Sequence, residues 1–571
     1  MSKCGEMIVS EDIYDYIVAA VPGRFEQILE NPSICAERVD SRWLIAHTVL
    51  PADRQLNVSS LSYYTIPKLF GLMDTTSFDD SGITSILNQP YLNTSGQGVI
   101  VGFVDTGIDY LHTDFRNSSG KTRIGVIWDQ TDLEGEGSGG GSNFPYGRIY
   151  TEEQINAAIN INDRGGNPYE VVNERDELGH GTFIAGVACA SRGRDYTGAA
   201  PESEIAVVKL KGAKKYLKDF YFVRDDVAVF QETDIMLAVR FLQVYAAFKG
   251  LPLVVCLGLG SAQGSRVGTT PLDDYLDSVT KVENTVVVTA MGNEANARTH
   301  YSGIAEYENN TPALIEINVE NNSKGFILEI WAGSLDVLSV SIISPTGEMI
   351  DRIPARAGEN RRFRFLLENS EITVDYQLSE TVSGYENIFI RFVTPSEGIW
   401  RVNVYSLTNL RGIFNAWLSL KQFMTSEVFF LEPNPDITLT EPAAASRVIS
   451  VGAYNHYTQG MYIDSGRGYT PDERVKPDIV APGVNVYGTR AGGGYTTKSG
   501  TSVAAAHVAG AAALFLSWGV TQRNALRIGN SEIKSLLIRG ARRDAGQNFP
   551  NRQQGYGKLD MFQSFNQLRI Y

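Results

Sequence analysis

The stretch Gly98–Asp109, GVIVGFVDTGID, decides the fold. Its apolar run ends at Asp105, and the next two residues, Thr and Gly, turn the chain. Similar apolar runs, each followed by enough residues for a helix, lie at 203–211, 251–260 and 284–293. This pattern is typical of parallel strands that are buried on both faces and connected by helices. The sequence therefore predicts an α/β fold, a parallel sheet with helices on both faces.

Short strands replace this pattern between about Tyr301 and Met424. They are LIEINVE, FILEIWAG, LSVSIISP, RRFRFLLE, EITVDYQL, ENIFIRFV, GIWRVNVYSL and GIFNAWLSL. Strands of this length, separated by turns, predict an all-β sandwich or jelly roll. The α/β pattern resumes with SRVISVGAYN at 446–455 and KPDIVAPG at 476–483, so the β unit is inserted into the α/β unit.

The first 75 residues predict a small α+β unit. Its predicted elements are a strand at Tyr14–Ala20, a helix at Arg24–Glu30 and strands at Cys35–Val39 and Trp43–Leu50. The stretch TTSFDDSGI at 75–83 has the polar and turn residues of an exposed linker. The predicted division of the chain is 1–75, a first α/β part at 76–300, the β insertion at 301–425 and a second α/β part at 426–571.

Charge and hydropathy exclude several classes of protein. The formal net charge is −15, which argues against a nucleic-acid partner because phosphate binding needs a basic surface. No apolar run reaches the roughly 18 residues of a membrane span. The longest one, Val503–Trp518, contains His507. The N-terminus has acidic residues where a signal peptide is basic, so we expect cytoplasmic synthesis and no membrane span.

Four cysteines, Cys4, Cys35, Cys189 and Cys256, are scattered without C-x-x-C spacing. Two of them lie in the apolar runs VACA and LVVCLGLG, where buried free thiols are common. We expect free thiols in a reducing compartment rather than a disulfide framework.

Four polar residues lie where buried strands end or helices begin. Asp105 ends its strand, His180 precedes a small-residue helix in DELGHGTFIAGVACA, and Ser502 begins the helix of SGTSVAAAHVAG. Asn293 follows the strand of NTVVVTAMGN. Each has an ordinary explanation when it is taken alone, as a turn aspartate, a packing histidine, an N-cap serine or a turn asparagine.

Among the six histidines, His180 is the one strong candidate for a catalytic base, because glycines flank it and leave room for a ligand. We interpret His507 as a core histidine that packs or donates a hydrogen bond. Ordinary structural roles suit three others, one in a strand-like run and two in loops: His47, His300 and His456.

Together the four residues meet the requirements of serine hydrolysis. Ser502 would be the nucleophile, His180 its base, Asp105 the acid that fixes the tautomer of the base, and Asn293 a donor to the oxyanion. The chain order Asp, His, Ser is one of the known arrangements of this triad.

The motifs VDTGID, HGTFIAG, TAMGNE and GTSVAAAHVAG, with KPDIVAPG before the last of them, resemble the signature segments of the subtilase family in their order. The resemblance covers about Gly98–Tyr301 and Arg447–Gly557. It implies a subtilisin-like fold and a serine endopeptidase that acts through an acyl-enzyme intermediate. It also implies that Asp105, His180 and Ser502 form the triad and that Asn293 is the oxyanion asparagine. The edge that pairs with extended substrate would consist of Leu257, Gly258, Leu259 and Gly260.

Three positions depart from the family pattern. Ala506 stands where proline is usual, His112 is followed by Thr113 rather than proline, and Gly258 replaces a frequent serine. None of these changes removes a catalytic atom, so they bear on specificity and local rigidity more than on activity.

The first unit resembles a subtilase propeptide, which implies self-cleavage between Leu69 and Ile83 and a prodomain tail in the active-site cleft. With the inserted β unit and the phrase SSLSYYTIPKLFGLMD, the layout resembles the clostridial Csp group of germination proteases. That resemblance implies a stabilising jelly roll, a prodomain that stays bound, and spore-associated activation of the precursor of a cortex-lytic hydrolase.

Two other functions stay open. One is a pseudoprotease that binds a partner or signal, against which the complete triad argues. The other is a nutritional protease, against which the missing export signal argues. Calcium occurs in the family, but no compact D-x-D-x-D-G loop is present, so we assign no metal ligand and expect no cofactor. A monomer is the expected state.

Overall fold

The computed structural model describes residues 3–19, 28, 34–49, 56–58, 61–72, 80–132, 144–193, 196–307, 311–358, 360–408 and 410–570. The N-terminal unit contains helix α1 (Lys3–Val9) and strands β1 (Tyr14–Ala19), β2 (Cys35–Arg38) and β3 (Trp43–Thr48). The strands form an antiparallel sheet in the order β1-β3-β2, and the three predicted strands are confirmed. The predicted helix at Arg24–Glu30 lies almost wholly outside the described residues.

Strand β4 (Leu69–Leu72) separates this unit from the α/β unit. The first part of the α/β unit contains α2 (Ile83–Leu87), β5 (Ile100–Asp105), β6 (Ile124–Asp129), β7 (Arg148–Thr151), α3 (Glu152–Asp163), α4 (His180–Cys189), β8 (Glu204–Lys209), α5 (Lys215–Phe220), β9 (Phe230–Gln231), α6 (Glu232–Lys249), β10 (Leu253–Leu257), β11 (Leu259–Gly260), α7 (Pro271–Val279) and β12 (Thr285–Ala290).

Two antiparallel sheets follow. Their strands are β13 (His300–Ile304), β14 (Ala313–Val319), β15 (Gly325–Ala332), β16 (Leu338–Ile343), β17 (Met349–Ile353), β18 (Asn360–Arg364), β19 (Glu371–Gln377), β20 (Glu386–Val393), β21 (Gly398–Ser406), β22 (Ile413–Leu418) and β23 (Val428–Phe430). The chain then returns to the α/β unit with β24 (Ile449–Tyr454), β25 (Ile479–Pro482), β26 (Val486–Thr489), β27 (Tyr495–Lys498), α8 (Thr501–Leu516), α9 (Asn530–Gly540) and α10 (Met561–Asn566).

The central sheet has the order β25-β24-β12-β10-β5-β8-β6-β7, and every neighbouring pair is parallel except β6 and β7 at one edge. Strand β5 shows why its sequence is apolar throughout. Val101 and Phe103 lie in a core cluster with α4 and α8, whereas Ile100 and Val104 lie in a second cluster with α6 and α7. Both faces of the strand are therefore covered, as predicted for a parallel α/β sheet.

Helix α8 is the central helix of the first of these clusters. With the turn that follows it to Thr521, it is the one helix in the described part of the chain that is long and apolar enough to cross a membrane. However, 89% of its apolar window is buried inside the protein. Its apolar composition is thus explained by packing on the central sheet.

The inserted sheets have the orders β13-β22-β15-β20-β19-β18 and β17-β16-β21-β14-β23 and enclose one apolar core around the buried Trp400. All eight strands expected in this region are present. Strands β13, β17 and β23 were not predicted, and β23 extends the sheets past the predicted end at residue 425. The placement of His300 in a loop was wrong, because this residue begins β13, where its ring stacks on Trp417.

Of the three cysteines whose bonding the structure describes, one differs from the expectation. Cys189 and Cys256 are free and buried in α4 and β10, as the apolar runs predicted. Cys35 in β2 is disulfide-bonded, so the expectation of free thiols was wrong there. The spacing of cysteines along the chain carries no information on which of them approach one another in space.

Contact between α4 and α8 depends on a glycine, and we expect Gly510→Ala to lower the free energy of unfolding by about 1 to 3 kcal/mol. A methyl group on Gly510 would collide with Ala199 and approach the carbonyl oxygen of Ala188 at the end of α4. The control is Gly460→Ala, because its added carbon would meet only Thr458 Oγ1, at 3.5 Å. Chemical denaturation measures the free energy of unfolding of both variants. Equal values would contradict the requirement for glycine at 510.

Candidate active site

The structure brings together the three residues predicted as a triad. Asp105 is the last residue of β5, His180 the first of α4 and Ser502 the second of α8. His180 Nδ1 lies 2.7 Å from Asp105 Oδ1, and His180 Nε2 lies 3.2 Å from Ser502 Oγ. The carboxyl end of a central strand and the N-termini of two helices therefore meet at one point, the usual place for a site in an α/β sheet.

This geometry sets the protonation of the imidazole. The carboxylate of Asp105 accepts from His180 Nδ1, so Nε2 carries the lone pair and faces the serine hydroxyl. Asp105, His180 and Ser502 are 1%, 3% and 0% exposed, and in such surroundings a charge-assisted hydrogen bond is stronger than in water. The arrangement can move the proton of Ser502 onto His180.

Asn293 lies beside the serine, in the turn after β12. Its amide oxygen accepts hydrogen bonds from Thr501 N at 3.1 Å and Thr501 Oγ1 at 3.2 Å. Thr501 Oγ1 also accepts from Gly292 N at 3.1 Å, so both segments are tied together. Because the oxygen of the amide is engaged, its NH2 group is the part that can donate to an oxyanion. The backbone N–H of Ser502, in the first turn of α8, is a second potential donor.

A strand occupies the groove beside the triad. Strand β4 pairs antiparallel with β11, Leu72 opposite Leu259 and Gly71 opposite Gly260. On its other side β4 pairs antiparallel with β9, Leu69 opposite Gln231. The segment Leu69–Leu72 is thus the middle strand of a three-stranded sheet whose outer strands belong to the α/β unit.

The predicted substrate edge divides into three parts. Leu259 and Gly260 form β11 and pair with β4, whereas Leu257 ends β10 and is buried in the central core. Gly258 lies between them, against the triad. A methyl group on Gly258 would lie 3.0 Å from Ser502 Cβ, 3.3 Å from His180 Cε1 and 3.5 Å from Asp105 Oδ2. Glycine at this position therefore keeps space open directly over the catalytic atoms.

Within the described ranges, no group of three or more His, Cys, Asp or Glu side chains is arranged to hold a metal ion. The arrangement of Asp105, His180 and Ser502 needs no metal for proton transfer, because the base and its orienting acid are both side chains.

Comparison with known families identifies this arrangement. A sequence profile described as the subtilase family matches residues 96–352 and 394–557, well over half of the chain. The chain belongs to the subtilase family. The members of this family are serine proteases, and the predicted triad residues Asp105, His180 and Ser502 all lie within the matched ranges. The gap in the match falls inside the inserted sheets.

Individual relatives support the same assignment. The structure of the CspB protease of Clostridium perfringens has a TM-score of 0.76 and 33% sequence identity, covering 86% of this chain and 99% of that one. The membrane-bound transcription factor site-1 protease of Mus musculus is 39% identical over 140 residues, 24% of this chain. The subtilisin of Bacillus pumilus is 41% identical over 88 residues. The matched part spans only 13% of the site-1 protease and 30% of that subtilisin.

Asp176 is the residue of this subtilase site that was not predicted from the sequence. Its buried carboxylate accepts four hydrogen bonds of 2.7 to 2.8 Å, from Thr106 Oγ1, Gly179 N, Thr182 N and Thr182 Oγ1. Thr106 follows Asp105, and the other donors flank His180. Asp176 therefore joins the turn after β5 to the first turn of α4. The signal for it was a carboxylate four residues before His180, where negative charge favours a helix N-terminus.

Two glycines bring the same turn and helix into contact. A methyl group on Gly181 would collide with the carbonyl oxygen of Gly107, so the backbones of the two segments touch there. Gly107 itself has φ +117°, which L side chains rarely adopt. The separation of Asp105 and His180 is thus fixed by backbone contact as well as by their hydrogen bond.

A buried carboxyl group lies under this turn. Glu174 Oε1 accepts from Ile108 N at 3.1 Å. Burial, and then the charge of Asp129, raise the pKa of Glu174 well above its ordinary value, against the opposing effect of Lys209. The site of Glu174 therefore favours the neutral carboxyl group more than water does.

The histidines outside the triad have structural contacts. His507 Nδ1 donates to Val503 O at 2.8 Å inside α8, which confirms its interpretation as a core histidine. His112 Nε2 donates to Gly494 O at 2.9 Å, and His47 Nδ1 contacts Asp15 Oδ1 at 2.6 Å. Ala506, where the family usually has proline, lies buried within α8.

We expect Asp176→Ala to lower kcat on the order of 100-fold with little change in KM, because misplacing a catalytic group by about 1 Å has an effect of this size. Kinetics on a chromogenic peptide measure both constants. The kcat of Asp176→Asn should lie between those of wild type and Asp176→Ala, because the amide oxygen can still accept hydrogen bonds but the amide nitrogen cannot.

The matched control is Glu170→Ala, an exposed acid in the same segment. A lower unfolding temperature with unchanged kcat would show that Asp176 only stabilises the fold. A rise in KM alone would also contradict a role in positioning His180.

Proposed function

We propose that this chain is a serine endopeptidase that first cleaves its own chain after β4 and then cleaves another protein. The observation that carries the proposal is the pairing of Leu69–Leu72 with Leu259–Gly260, beside an assembled triad. An extended chain segment in this groove has the position that a peptide substrate takes by strand addition.

The proposed mechanism follows from the hydrogen bonds. Ser502 Oγ attacks the scissile carbonyl while His180 Nε2 takes its proton, and Asp105 stabilises the imidazolium that forms. The amide of Asn293 and the backbone N–H of Ser502 donate to the oxyanion. His180 then gives the proton to the leaving amine, which leaves an acyl group on Ser502. Water attacks that ester with His180 again as the base, and the free serine returns.

The register of β4 supports a narrower cleavage region than the sequence did. Leu72 lies opposite Leu259, and the next residue along the edge strand toward Ser502 is Gly258, which contacts the triad. We therefore propose that the cleaved bond lies between Leu72 and Asp80. Residues 73–79, about half of the stretch Leu69–Ile83 expected from the sequence, lie outside the described residues.

The N-terminal unit has the contacts expected of a prodomain that stays bound after cleavage. Asp15 in β1 is buried and accepts from Lys214 Nζ at 2.8 Å and from Gln231 Nε2 at 2.6 Å. Although burial raises its pKa, His47 and Lys214 hold the pKa of Asp15 well below its ordinary value. Gln231 belongs to β9, so this buried polar contact adjoins the groove that β4 occupies.

The segment before β4 joins all three units. Tyr63 OH donates to Glu329 Oε2 at 2.5 Å, and its ring packs edge to face on Trp331 of the inserted sheets. Lys68 Nζ donates to Tyr63 O at 2.7 Å, and its backbone N–H donates to Glu232 at the start of α6. These contacts support a prodomain at 1–75 and an inserted jelly roll that is packed against both other units.

We further propose that the natural substrate is the precursor of a spore cortex-lytic hydrolase and that the enzyme acts in the spore during germination. The support is the likeness to the CspB protease of Clostridium perfringens over 99% of that chain, together with the resemblance to the Csp group. The complete triad disfavours the pseudoprotease function. A monomer without a cofactor is sufficient for this reaction, since all of its groups lie on one chain.

Wild type and Ser502→Ala test the self-cleavage. We expect wild type to separate into a fragment of about 75 residues, near 8 kDa at ~110 Da per residue, and a large fragment. Ser502→Ala should stay whole because it lacks the nucleophile. Ser499→Ala, three residues earlier, should cleave like wild type. Intact mass spectrometry and N-terminal sequencing identify the cleaved bond. Wild type that stays at full length would refute self-cleavage. A new N-terminus outside Leu72–Asp80 would refute the proposed position of the cleaved bond.

Lys214→Met tests the retention of the prodomain. Removing this cation takes from the buried Asp15 its ion-pair partner in the α/β unit, and breaking a buried ion pair costs on the order of 3 to 5 kcal/mol. We expect the cleaved N-terminal fragment to dissociate from the variant on size-exclusion chromatography and to remain bound in wild type. The adjacent Lys215→Met is the control, because its side chain is exposed and its ion pair is with Asp219 on the same helix. Loss of the fragment from both variants would show that the contact between Lys214 and Asp15 is not what retains it.

A further inference from the structure

A cleft of about 280 Å³ lies where the inserted sandwich meets the α/β unit. The sandwich lines it with strands β15 and β22 and the loops beside them, and the α/β unit lines it with residues 469–471, Glu473 and Arg552. None of its lining residues belongs to the triad, to β4 or to β11. Junctions between domains are a common place for small-molecule sites, whose volumes begin at roughly 300 Å³. The cleft therefore has the position and the size of a site for a small ligand.

Two buried tryptophans of the six-stranded sheet line this cleft. Trp331 in β15 and Trp417 in β22 are 2% and 3% exposed. Their indole N–H groups donate to Glu329 Oε2 at 3.0 Å and to Ile437 O at 3.1 Å, so both rings are held in place. The aromatic part of the cleft is thus formed before any ligand binds, which lowers the entropic cost of binding.

Two tyrosines add aromatic surface that a ligand can reach. Tyr385 directly precedes β20 in the sandwich, whereas Tyr469 belongs to the α/β unit, and both are half-buried at the cleft. The hydroxyl of Tyr469 donates to Pro550 O at 2.8 Å, which orients its ring. Both units that form the cleft therefore contribute an accessible aromatic side chain.

A buried amide group faces the same cleft. Asn415 in β22 is 7% exposed, and one end of its amide contacts His300 Nε2 at 3.0 Å. The other end has no hydrogen-bond partner among the described residues. Buried polar groups are nearly always hydrogen-bonded, so this amide is suited to a ligand that donates or accepts there.

Two charged side chains of opposite sign are also available at the cleft. Within the described part of the chain, no hydrogen bond or ion pair engages the guanidinium of Arg411 or the carboxylate of Glu473. The other two charged groups of the lining are engaged. Asp336 Oδ1 accepts from the backbone N–H of Arg411 at 3.1 Å, and Arg552 Nε lies 3.6 Å from Asp436. The available groups therefore supply one set of donors and one set of acceptors, with opposite charges.

We propose that this cleft binds a small neutral saccharide. Every sugar hydroxyl both donates and accepts hydrogen bonds, so a sugar needs the two kinds of partner that the guanidinium, the carboxylate and the amide provide. The C–H faces of a sugar ring are apolar and pack on aromatic side chains, of which the cleft has four. An anion or a cation fits less well, because Arg411 and Glu473 would attract and repel it together.

The test is isothermal titration calorimetry of full-length Ser502→Ala with cellobiose and with N,N′-diacetylchitobiose. These disaccharides share their linkage, and the second has acetamido groups in place of hydroxyls. The zwitterion triglycine is the control ligand, because it offers both charges without a sugar ring. We expect at least one of the disaccharides to bind with a Kd of about 1 mM or below, and triglycine to bind more weakly.

Variants of the cleft locate the binding. Arg411→Met, added to Ser502→Ala, removes the donors of an exposed side chain and should weaken binding about tenfold or more. Tyr469→Leu removes an aromatic face and should weaken it about threefold or more. The matched control is Arg523→Met, an exposed arginine after α8 that lies outside the cleft, and it should leave binding unchanged. Circular dichroism confirms that each variant is folded.

Any of three results would overturn the proposal. They are no binding of either disaccharide up to about 10 mM, tighter binding of triglycine than of both disaccharides, and an equal loss in Arg411→Met and Arg523→Met. The second result would assign the cleft to a peptide. Since Ser502→Ala lacks the nucleophile and the cleft shares no residue with the triad, none of these results bears on the proposed proteolysis.

Discussion

The backbone contact between the turn after β5 and the first turn of α4 is the constraint on which the site depends. It requires glycine at 107 and 181, because a side chain on Gly181 would collide with the turn. Asp176 holds the same two segments with four hydrogen bonds. Asp105 and His180 therefore meet at the edge of the sheet with little freedom to separate, and only Ser502 comes from a third element.

The groove connects this site to the N-terminal unit. Strand β9 forms one side of the groove, and its Gln231 donates to Asp15 of that unit. Strand β11 forms the other side and leads directly to Gly258 beside the triad. Binding of the first unit and occupation of the groove by β4 are thus parts of one contact surface, so a change in either affects access to Ser502.

Much of the fold could be predicted from the sequence, because buried parallel strands and sandwich strands have distinct apolar patterns. Strand β17 was missed since MIDRI lies on an edge and alternates in exposure. Strand β6 was also missed, although its sequence IGVIWD has the composition of a buried strand and could have predicted it. The triad could be predicted because its motifs are local. The network of Asp176 and the bond at Cys35 depend on which distant segments approach one another, which periodicity does not give.

The distance along the chain between His180 and Ser502, 322 residues, has a consequence for the nascent protein. A ribosome makes Asp105 and His180 long before it makes α8, and the whole sandwich is synthesised in between. Strands β24 and β25 and the helix that carries Ser502 must then add to a central sheet whose edge at β12 has no neighbouring strand until they are made. Until that late step the chain holds Asp105 and His180 without Ser502, so a copy truncated before α8 lacks the nucleophile of the proposed reaction.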